Sequence, residues 1–151
     1  MKFLIASLML VNVLFAQTLS VGDSYPVFAV TDQFGDTGRV AYRDELVIMT
    51  FEKGVSADLN TYLKAKKSDY LPANKVKYIA DISGMPTFVT NMFALPKMKK
   101  YKYNIYLIHE EEEGEPFVRK DDMVTVFKLK NYKIESIDYM TPKEVIDLID
   151  R

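Results

Sequence analysis

The sequence predicts an α/β fold: one mixed β-sheet with helices on both faces and a β-hairpin extension at its N-terminal side. Apolar runs of strand length alternate with segments whose apolar residues recur at helical spacing. Two pairs of strand-like segments are joined by short turn-forming sequences, which indicates two hairpins. Strands that alternate with helices favour a sheet packed between helices, and no linker or internal repeat divides the chain.

The first predicted elements are a hairpin and a buried strand. Residues 27–30 are strand-like and residues 32–36 are typical of a turn, so a hairpin is expected over residues 26–40. Residues 46–51 form a nearly continuous apolar run, which is typical of a central strand that is buried on both faces.

A helix and another strand follow. Ser56 is expected to cap the helix, with Asp58 in the first turn opposing the positive end of the helix dipole. Apolar residues then recur at helical spacing over residues 59–70. Residues 75–82 alternate in the manner of a strand, with Val76, Tyr78 and Ala80 on one face.

A second helix is predicted from Pro86, because proline suits the start of a helix. The apolar stripe of this helix contains Phe88, Val89, Met92, Phe93 and Leu95. Pro96 is expected to end the stripe, since proline interrupts a helix. We interpret the methionine and phenylalanine residues Phe88, Met92, Phe93 and Met98 as core packing, with the alternative that part of this set lines a hydrophobic groove.

The C-terminal part of the chain supplies the remaining elements. Residues 104–109 form a predicted strand, and residues 123–129 and 133–139 alternate around a turn to form a second hairpin. Residues 141–144 read Thr-Pro-Lys-Glu, which is a capping box with proline at the first helical position and predicts a final helix.

The first 16 residues have the features of a secretory signal peptide. Lys2 is followed by an apolar run over residues 3–15, and Ala16 precedes polar Gln17. This run is shorter than the roughly 20 residues that span a bilayer core. We therefore expect a periplasmic or secreted protein, with residues 17–151 as its single domain and no stable membrane insertion after cleavage.

The composition excludes two classes of function. The chain contains no cysteine, and a thiolate is the nucleophile of disulfide exchange and peroxide reduction, so thiol-based catalysis is excluded. The formal net charge of −1 gives no strong field toward nucleic acid or anionic lipid, and export removes nucleic acid as a partner.

Two short motifs resemble a known superfamily. Residues 21–28 contain Gly-Asp-Ser-Tyr-Pro and residues 32–35 read Asp-Gln-Phe-Gly. They are similar to the opening of the peroxiredoxin and membrane-tethered thioredoxin branch of the thioredoxin-like superfamily. The buried strand at residues 47–51 matches the strand that leads to the catalytic thiol of those proteins. The resemblance implies a thioredoxin-like fold for residues 17–151.

The chain departs from that family at both halves of the usual active site. Val55 or Ser56 stands where the family places its thiol. Asp122–Met123 stands where the family has a cis-proline, and a non-proline peptide costs about 3 kcal/mol to hold in cis, so a trans bond is expected there. The resemblance therefore implies a member that has lost its redox chemistry.

A second resemblance concerns a possible cofactor. Residues 78–98 are similar to uncharacterised exported proteins of the bacterial envelope, some of which carry the name flavin-containing dehydrogenase. The chain has no Gly-x-Gly-x-x-Gly motif, and no strand opens into a glycine-rich helix turn. No cofactor is predicted, and bound flavin is kept as the alternative.

The only histidine does not indicate a site. His109 is followed by four glutamates at residues 110–113, and a metal site needs several ligands in a fixed geometry, so a solvated turn is favoured. Ser56, His109 and Asp58 are the residue types of a hydrolytic triad, but nothing brings His109 to that loop and no Gly-x-Ser-x-Gly motif is present. We predict no catalytic residue and no metal ligand.

A run of lysines also has a simple interpretation. Lys97, Lys99, Lys100 and Lys102 alternate with tyrosines in a pattern that could contact nucleic acid. Their position just after a predicted helix is explained by the negative end of the helix dipole. We therefore interpret them as solvated charges.

The expected ligand-facing residues are Lys53, Ser56, Asp58 and Asp122. In a thioredoxin-like sheet, the loop at residues 52–58 and the turn at Asp122 lie at the same end, where central strands meet helix N-termini. Free backbone N–H groups there favour a carbonyl-rich ligand. The expected function is a binding or accessory module for an envelope protein or peptide. The alternative is an enzyme, either flavin-dependent or hydrolytic through Ser56.

The export prediction has a direct test. N-terminal sequencing of the protein recovered from an expressing bacterium is expected to start within a few residues of Gln17, because polarity returns there. Recovery of a soluble cytoplasmic protein that still begins at Met1 would contradict it.

Overall fold

The computed structural model describes residues 17–151, and the predicted signal peptide lies outside the described residues. The strands are β1 (Val30–Asp32), β2 (Thr37–Gly38), β3 (Leu46–Thr50), β4 (Val76–Asp81), β5 (Tyr106–Ile108), β6 (Val124–Lys130) and β7 (Lys133–Met140). The helices are α1 (Lys53–Leu63), α2 (Tyr70–Ala73), α3 (Thr87–Val89), α4 (Leu95–Met98), α5 (Glu111–Gly114) and α6 (Pro142–Ile149), and a π-helical turn at Thr90–Ala94 joins α3 to α4.

These strands form one seven-stranded mixed sheet in the order β2-β1-β5-β4-β3-β6-β7. Strands β3, β4 and β5 are parallel neighbours. The β6–β7 hairpin extends the sheet antiparallel to β3, and the β1–β2 hairpin extends it antiparallel to β5. The predicted mixed α/β sheet with an N-terminal hairpin extension is therefore confirmed.

The two faces of the sheet bury different kinds of structure. Helices α1 and α6 pack on one face, through Leu59, Leu63, Val145 and other apolar residues. Aromatic side chains cover the other face, where the rings of Tyr25 and Phe127 lie 5.4 Å apart. The short helix α5 also lies on this second face, because its Gly114 packs against the side chain of Asp81. Helices therefore occupy both faces, but unequally.

The two hairpins follow the sequence to different degrees. Asn131 and Tyr132 form the β6–β7 turn with φ angles of 51° and 65°, which is the geometry of a two-residue type I′ turn. In the first hairpin, β1 begins only at Val30, so the prediction of a strand over residues 27–30 was wrong. The chain before Val30 pairs with another part of the sheet instead: Ser24 forms an isolated antiparallel bridge with Lys133 of β7, and the Tyr25 N–H donates to the Tyr132 carbonyl at 2.7 Å.

Helix α1 begins three residues before the predicted cap. Glu52 is the N-cap, and the Ser56 N–H donates to the Glu52 carbonyl at 3.0 Å, so Ser56 lies inside the helix. The Ser56 hydroxyl donates to Thr50 Oγ1 at 2.7 Å instead of capping. The predicted cap was therefore wrong, and Asp58 lies in the second turn. The helix also ends at Leu63, earlier than the periodicity over residues 59–70 indicates.

The segment at residues 87–98 does not stop at Pro96. The π-helical turn lies directly before α4, and Pro96 occupies the first turn of α4, where a missing N–H is tolerated. The segment runs across the end of the sheet, and Leu95 and Met98 contact the core while Phe88, Met92 and Phe93 are exposed. The prediction that Pro96 ends the stripe was therefore wrong. The prediction of core packing was wrong for Phe88, Met92 and Phe93.

Hydroxyl groups and one amide connect α1 to the sheet beneath it. Thr50 Oγ1 lies 3.4 Å from the hydroxyl of Tyr78 and accepts the hydrogen bond from Ser56. In the next turn of α1, the Tyr103 hydroxyl donates to Asn60 Oδ1 at 2.8 Å. Burial raises the pKa of Tyr78 to about 12, because the phenolate would be formed away from water.

The raised pKa of Tyr78 predicts a loss of stability at alkaline pH. In the unfolded chain the phenol ionises near pH 10, whereas in the folded protein it keeps its proton until pH approaches about 12. The unfolded state therefore binds fewer protons over this window, and each such tyrosine lowers the free energy of unfolding by about 1.4 kcal/mol per pH unit. Urea unfolding between pH 8 and 12 is expected to be less pH-dependent in Tyr78→Phe. The exposed control Tyr42→Phe should keep the wild-type dependence, and an equal change in both variants would contradict the assignment.

Two helical glycines have opposite surroundings. A Cβ atom on Gly114 would lie 2.3 Å from Asp81 Oδ2, whereas a Cβ atom on Gly54 would meet nothing within 4 Å. The Asp81 side chain is only 4% exposed and therefore has little room to move. The sequence Glu-Glu-Glu-Gly of α5 thus ends in a residue that the packing requires to be small.

This contrast predicts opposite effects of the same substitution. Gly114→Ala is expected to lower the free energy of unfolding by about 1–3 kcal/mol because of overpacking. Gly54→Ala is expected to raise it by a few tenths to about 1 kcal/mol through helix propensity. Chemical denaturation of both variants measures the difference. The cost of Gly114→Ala should shrink in an Asp81→Ala background, and an unchanged cost would show that the carboxylate is not the obstacle.

Candidate functional site

A cavity of about 450 Å³ lies at the end of the sheet where α1 begins. Phe51 and Ile82 follow the carboxyl ends of β3 and β4 and contribute to its base. Ser56, Ala57 and Asn60 contribute to one wall from α1, and the segment that includes α3, the π-helical turn and α4 forms the opposite wall. The cavity is thus placed by the two parallel central strands, which end side by side.

Most of the lining is apolar. The apolar contributors are Phe51, Ala57, Ile82, Met85, Pro86, Val89, Ala94 and Met98, with Tyr101 beside them. The polar contributors are Glu52, Lys53, Ser56, Asn60, Asp81 and Lys97. A ligand of this site would therefore bury an apolar group and meet polar side chains near the start of α1, at the end of β4 and in α4.

The acidic groups of the lining are only partly engaged. The Glu52 side chain accepts the Asp122 N–H through Oε1 at 2.9 Å. Asp81 Oδ1 accepts the N–H and hydroxyl of Ser83 at 2.9 and 2.6 Å, whereas Asp81 Oδ2 is buried without a hydrogen-bond partner and lies 3.9 Å from an Arg119 guanidinium nitrogen. Lys53 and Lys97 form no ion pair with another residue of the described range 17–151. A ligand would therefore meet two lysines without an ion-pair partner and one carboxylate oxygen without a hydrogen-bond partner.

Ser56 is the only hydroxyl residue of the part of α1 that lines the cavity, and it is half-buried. It donates its proton to Thr50, so its lone pairs can accept a hydrogen bond from a ligand. The described cavity lining contains no histidine, and exposed His109 lies outside it. The geometry provides no Ser56–His109–Asp58 arrangement.

The structure brings some of the predicted site residues together and separates one. Lys53 and Ser56 line the cavity, and exposed Asp122 lies beside them through its N–H bond to Glu52. Asp122 adopts a φ of 60°, and all peptide bonds of residues 17–151 are trans. Asp58 faces another direction on α1, in a shallow depression that it shares with Thr61 and residues of α6. The structure separates Asp58 from the other three, because two residues along a helix correspond to about 200° and place Asp58 on a different side of α1 from Ser56.

The sequence interpretation missed the second wall of the cavity. Met85, Lys97 and Tyr101 on this side, and Asn60 on α1, were not selected as site residues, although all four line the cavity. A signal was present, because residues 84–86 read Gly-Met-Pro directly after a strand, at the end of the sheet where ligands usually bind.

Two other kinds of feature are absent from the described residues, a metal-binding cluster and a membrane-spanning helix. No group of three or more acidic, histidine or cysteine side chains in residues 17–151 is arranged to hold a metal ion. Among the helices of that range, none is long and apolar enough to cross a bilayer.

Comparison with known proteins identifies the fold. No protein-family model matches the chain, and no curated protein sequence matches it. The thioredoxin domain of a thiol-disulfide oxidoreductase from Bacteroides vulgatus is similar in structure, with a TM-score of 0.55 and 12% identity over 87% of this chain and 99% of that domain. Peroxidoxin BcpB from Mycobacterium tuberculosis gives a TM-score of 0.55 and 14% identity over 85% of this chain and 92% of its own. A structure described as the thiol:disulfide interchange protein DsbE from Chlorobium tepidum gives a TM-score of 0.55 and 16% identity over 88% of this chain and 96% of its own.

The similarity of these structures shows that the chain shares their fold. Because the sequence identity is only 12–16%, it does not show that the chain shares their chemistry. The chain contains no cysteine and therefore no thiolate of its own. The protein is a cysteine-free domain with the thioredoxin-like fold.

Proposed function

We propose that this protein is an exported, redox-inactive binding module that holds an extended peptide segment in the cavity between α1 and residues 84–101. The observation that carries the proposal is the position of the cavity. It lies where the central strands end and α1 begins, and Lys53 and Ser56 both line it. The ligand would be a segment of a protein or peptide of the bacterial envelope.

The lining supports a peptide rather than a strongly charged small molecule. Its apolar surface suits a side chain such as leucine or phenylalanine, and its volume of about 450 Å³ is large enough for one side chain with its flanking backbone. The Ser56 hydroxyl, Asn60 and Lys53 supply polar partners for peptide carbonyl groups. The N–H groups of residues 53–55 are not used within α1, and they favour the same oxygen atoms.

The absence of thiol chemistry supports binding without turnover. Val55 is buried and Ser56 donates to Thr50, so neither position offers a reactive group. A serine hydroxyl needs an adjacent base to act as a nucleophile. The described lining provides no histidine for that role, and the Ser56 hydroxyl donates to Thr50 and to neither carboxylate of the lining. The site is therefore suited to hold a ligand and not to react with it.

A peptide-display experiment tests the proposal. The full chain is immobilised and exposed to a random heptapeptide library, and the enriched peptides are synthesised and their affinity measured by fluorescence anisotropy. We expect the enriched sequences to share an apolar residue. The Lys53→Glu, Ala57→Leu variant is expected to bind them at least about tenfold more weakly, because it reverses a charge and obstructs the cavity while keeping the hydrogen bond from Ser56 to Thr50.

A matched control lies on the same helix. Asp58→Lys, Thr61→Leu makes comparable changes on α1 but in the separate depression outside the cavity. It is expected to keep the wild-type affinity. Equal losses in both variants, or no enrichment by the wild-type protein, would contradict the proposal. A visible absorption band of flavin in the protein as purified would also contradict it and would favour the oxidoreductase alternative.

A further inference from the structure

The outer side of residues 87–98 exposes three large apolar side chains. Phe88 is 66% exposed, Met92 58% and Phe93 62%, and the two phenylalanine rings lie 6.2 Å apart. We call these three residues the outer patch. They point away from the core that Leu95 and Met98 contact, so the fold leaves them without a partner. Three exposed large apolar residues on one short segment indicate an interaction surface.

Exposed lysines follow the outer patch immediately. Lys97, Lys99, Lys100 and Lys102 are all exposed, and within the described chain none of them forms an ion pair. Residues 82–109 contain no aspartate, glutamate or arginine. The formal net charge of the whole chain is −1, so it does not reveal this local excess of positive charge. The helix dipole accounts for cations at this helix end, but not for an acid-free stretch of this length.

We propose that the outer patch and its lysines dock on the surface of an anionic lipid bilayer. Phe88, Met92 and Phe93 would enter the headgroup region, and the lysines would face lipid phosphates. Exposed aromatic residues beside lysines on a short helical segment are typical of surfaces that lie in a membrane interface.

The composition favours a bilayer over a protein partner. Protein interfaces are enriched in aromatic residues, methionine and arginine and depleted in lysine, so the charged residues and not the apolar ones distinguish the two kinds of partner. Here the charges are all lysines, and the tyrosines of the segment, Tyr101 and Tyr103, are buried in the fold. Lysine acts as a point charge and suits a diffuse layer of phosphates, whereas arginine suits directed pairing with single carboxylates.

The expected association is weak and reversible. Three partly inserted side chains and four lysines form a peripheral contact, which is far from the apolar length that crosses a bilayer. The contact does not depend on the cavity being a binding site, because none of the three outer-patch residues lines the cavity, and among the four lysines only Lys97 does.

Single tryptophan reporters test the proposal. The chain contains no tryptophan, so Phe93→Trp and Tyr42→Trp each create a single tryptophan. The two positions are similarly exposed, 62% at Phe93 and 61% at Tyr42. Tyr42 precedes β3, at the end of the sheet opposite the outer patch. Full-length proteins are mixed with vesicles of phosphatidylglycerol and phosphatidylcholine, or of phosphatidylcholine alone. Any contribution of residues 1–16 is common to both reporters.

The expected result is a blue shift of the tryptophan at position 93 with phosphatidylglycerol vesicles and no shift of the tryptophan at position 42. Adding Lys99→Glu and Lys100→Glu to the Phe93→Trp protein is expected to lower its vesicle affinity about tenfold or more. Salt of about 1 M should abolish most of the shift, since the screening length then falls to about 3 Å. The control pair Lys128→Glu, Lys130→Glu lies on the exposed side of β6 and should leave the shift unchanged.

Three results would overturn the proposal. One is no shift at position 93, which would leave the outer patch to a protein partner. Another is an equal shift at both reporters, which would indicate binding through another part of the chain. The last is a shift that does not require phosphatidylglycerol.

Discussion

The hydrogen bond from the Ser56 hydroxyl to Thr50 determines how α1 leaves the central strand. Thr50 is the last residue of β3 and is fully buried, so its hydroxyl must be paired inside the protein. Ser56 and Tyr78 meet it there, and they link the first turn of α1 to β3 and β4. With α1 held in this way, its cavity-facing side is fixed before any ligand is present. The cavity and its polar groups depend on this buried contact.

The segment at residues 87–98 has apolar side chains both toward the cavity and toward solvent. Its inner residues, such as Val89 and Met98, line the cavity, and its outer residues are exposed. An ordinary amphipathic helix has one apolar side, which is buried, and one polar side. This segment is apolar on both sides, and the sequence alone cannot distinguish that pattern from a fully buried helix. The prediction of core packing therefore failed at Phe88, Met92 and Phe93.

Local chemistry predicted some elements well and others poorly. Asn131 tolerates a positive φ, and Thr141 and Glu144 form the predicted capping box, so the second hairpin and the last helix could be read from the sequence. The start of α1 could not, because Ser56 is a good cap by preference but its hydroxyl is used by Thr50. Asp58 is separated from Ser56 because two residues along a helix correspond to about 200°, so closeness in sequence does not place both on one side of α1. Lys53 and Ser56 line the cavity as the sequence suggested. The second wall was interpreted as core packing, because its apolar spacing is also that of a buried helix, and only Gly-Met-Pro at residues 84–86 pointed to it.

The π-helical turn at Thr90–Ala94 has a consequence for how this segment can change over generations. A π-helical turn contains about one residue more than an α-helical turn, so deleting one residue there would leave an ordinary α-helical turn with its flanking residues still on the same sides. In an α-helix, by contrast, one residue corresponds to a rotation of about 100°, so a deletion in α4 before Met98 would rotate Phe88 relative to Met98 by about that angle. The π-helical turn is therefore the place where this segment can lose a residue and still keep its exposed aromatic residues on one side and its cavity-lining residues on the other.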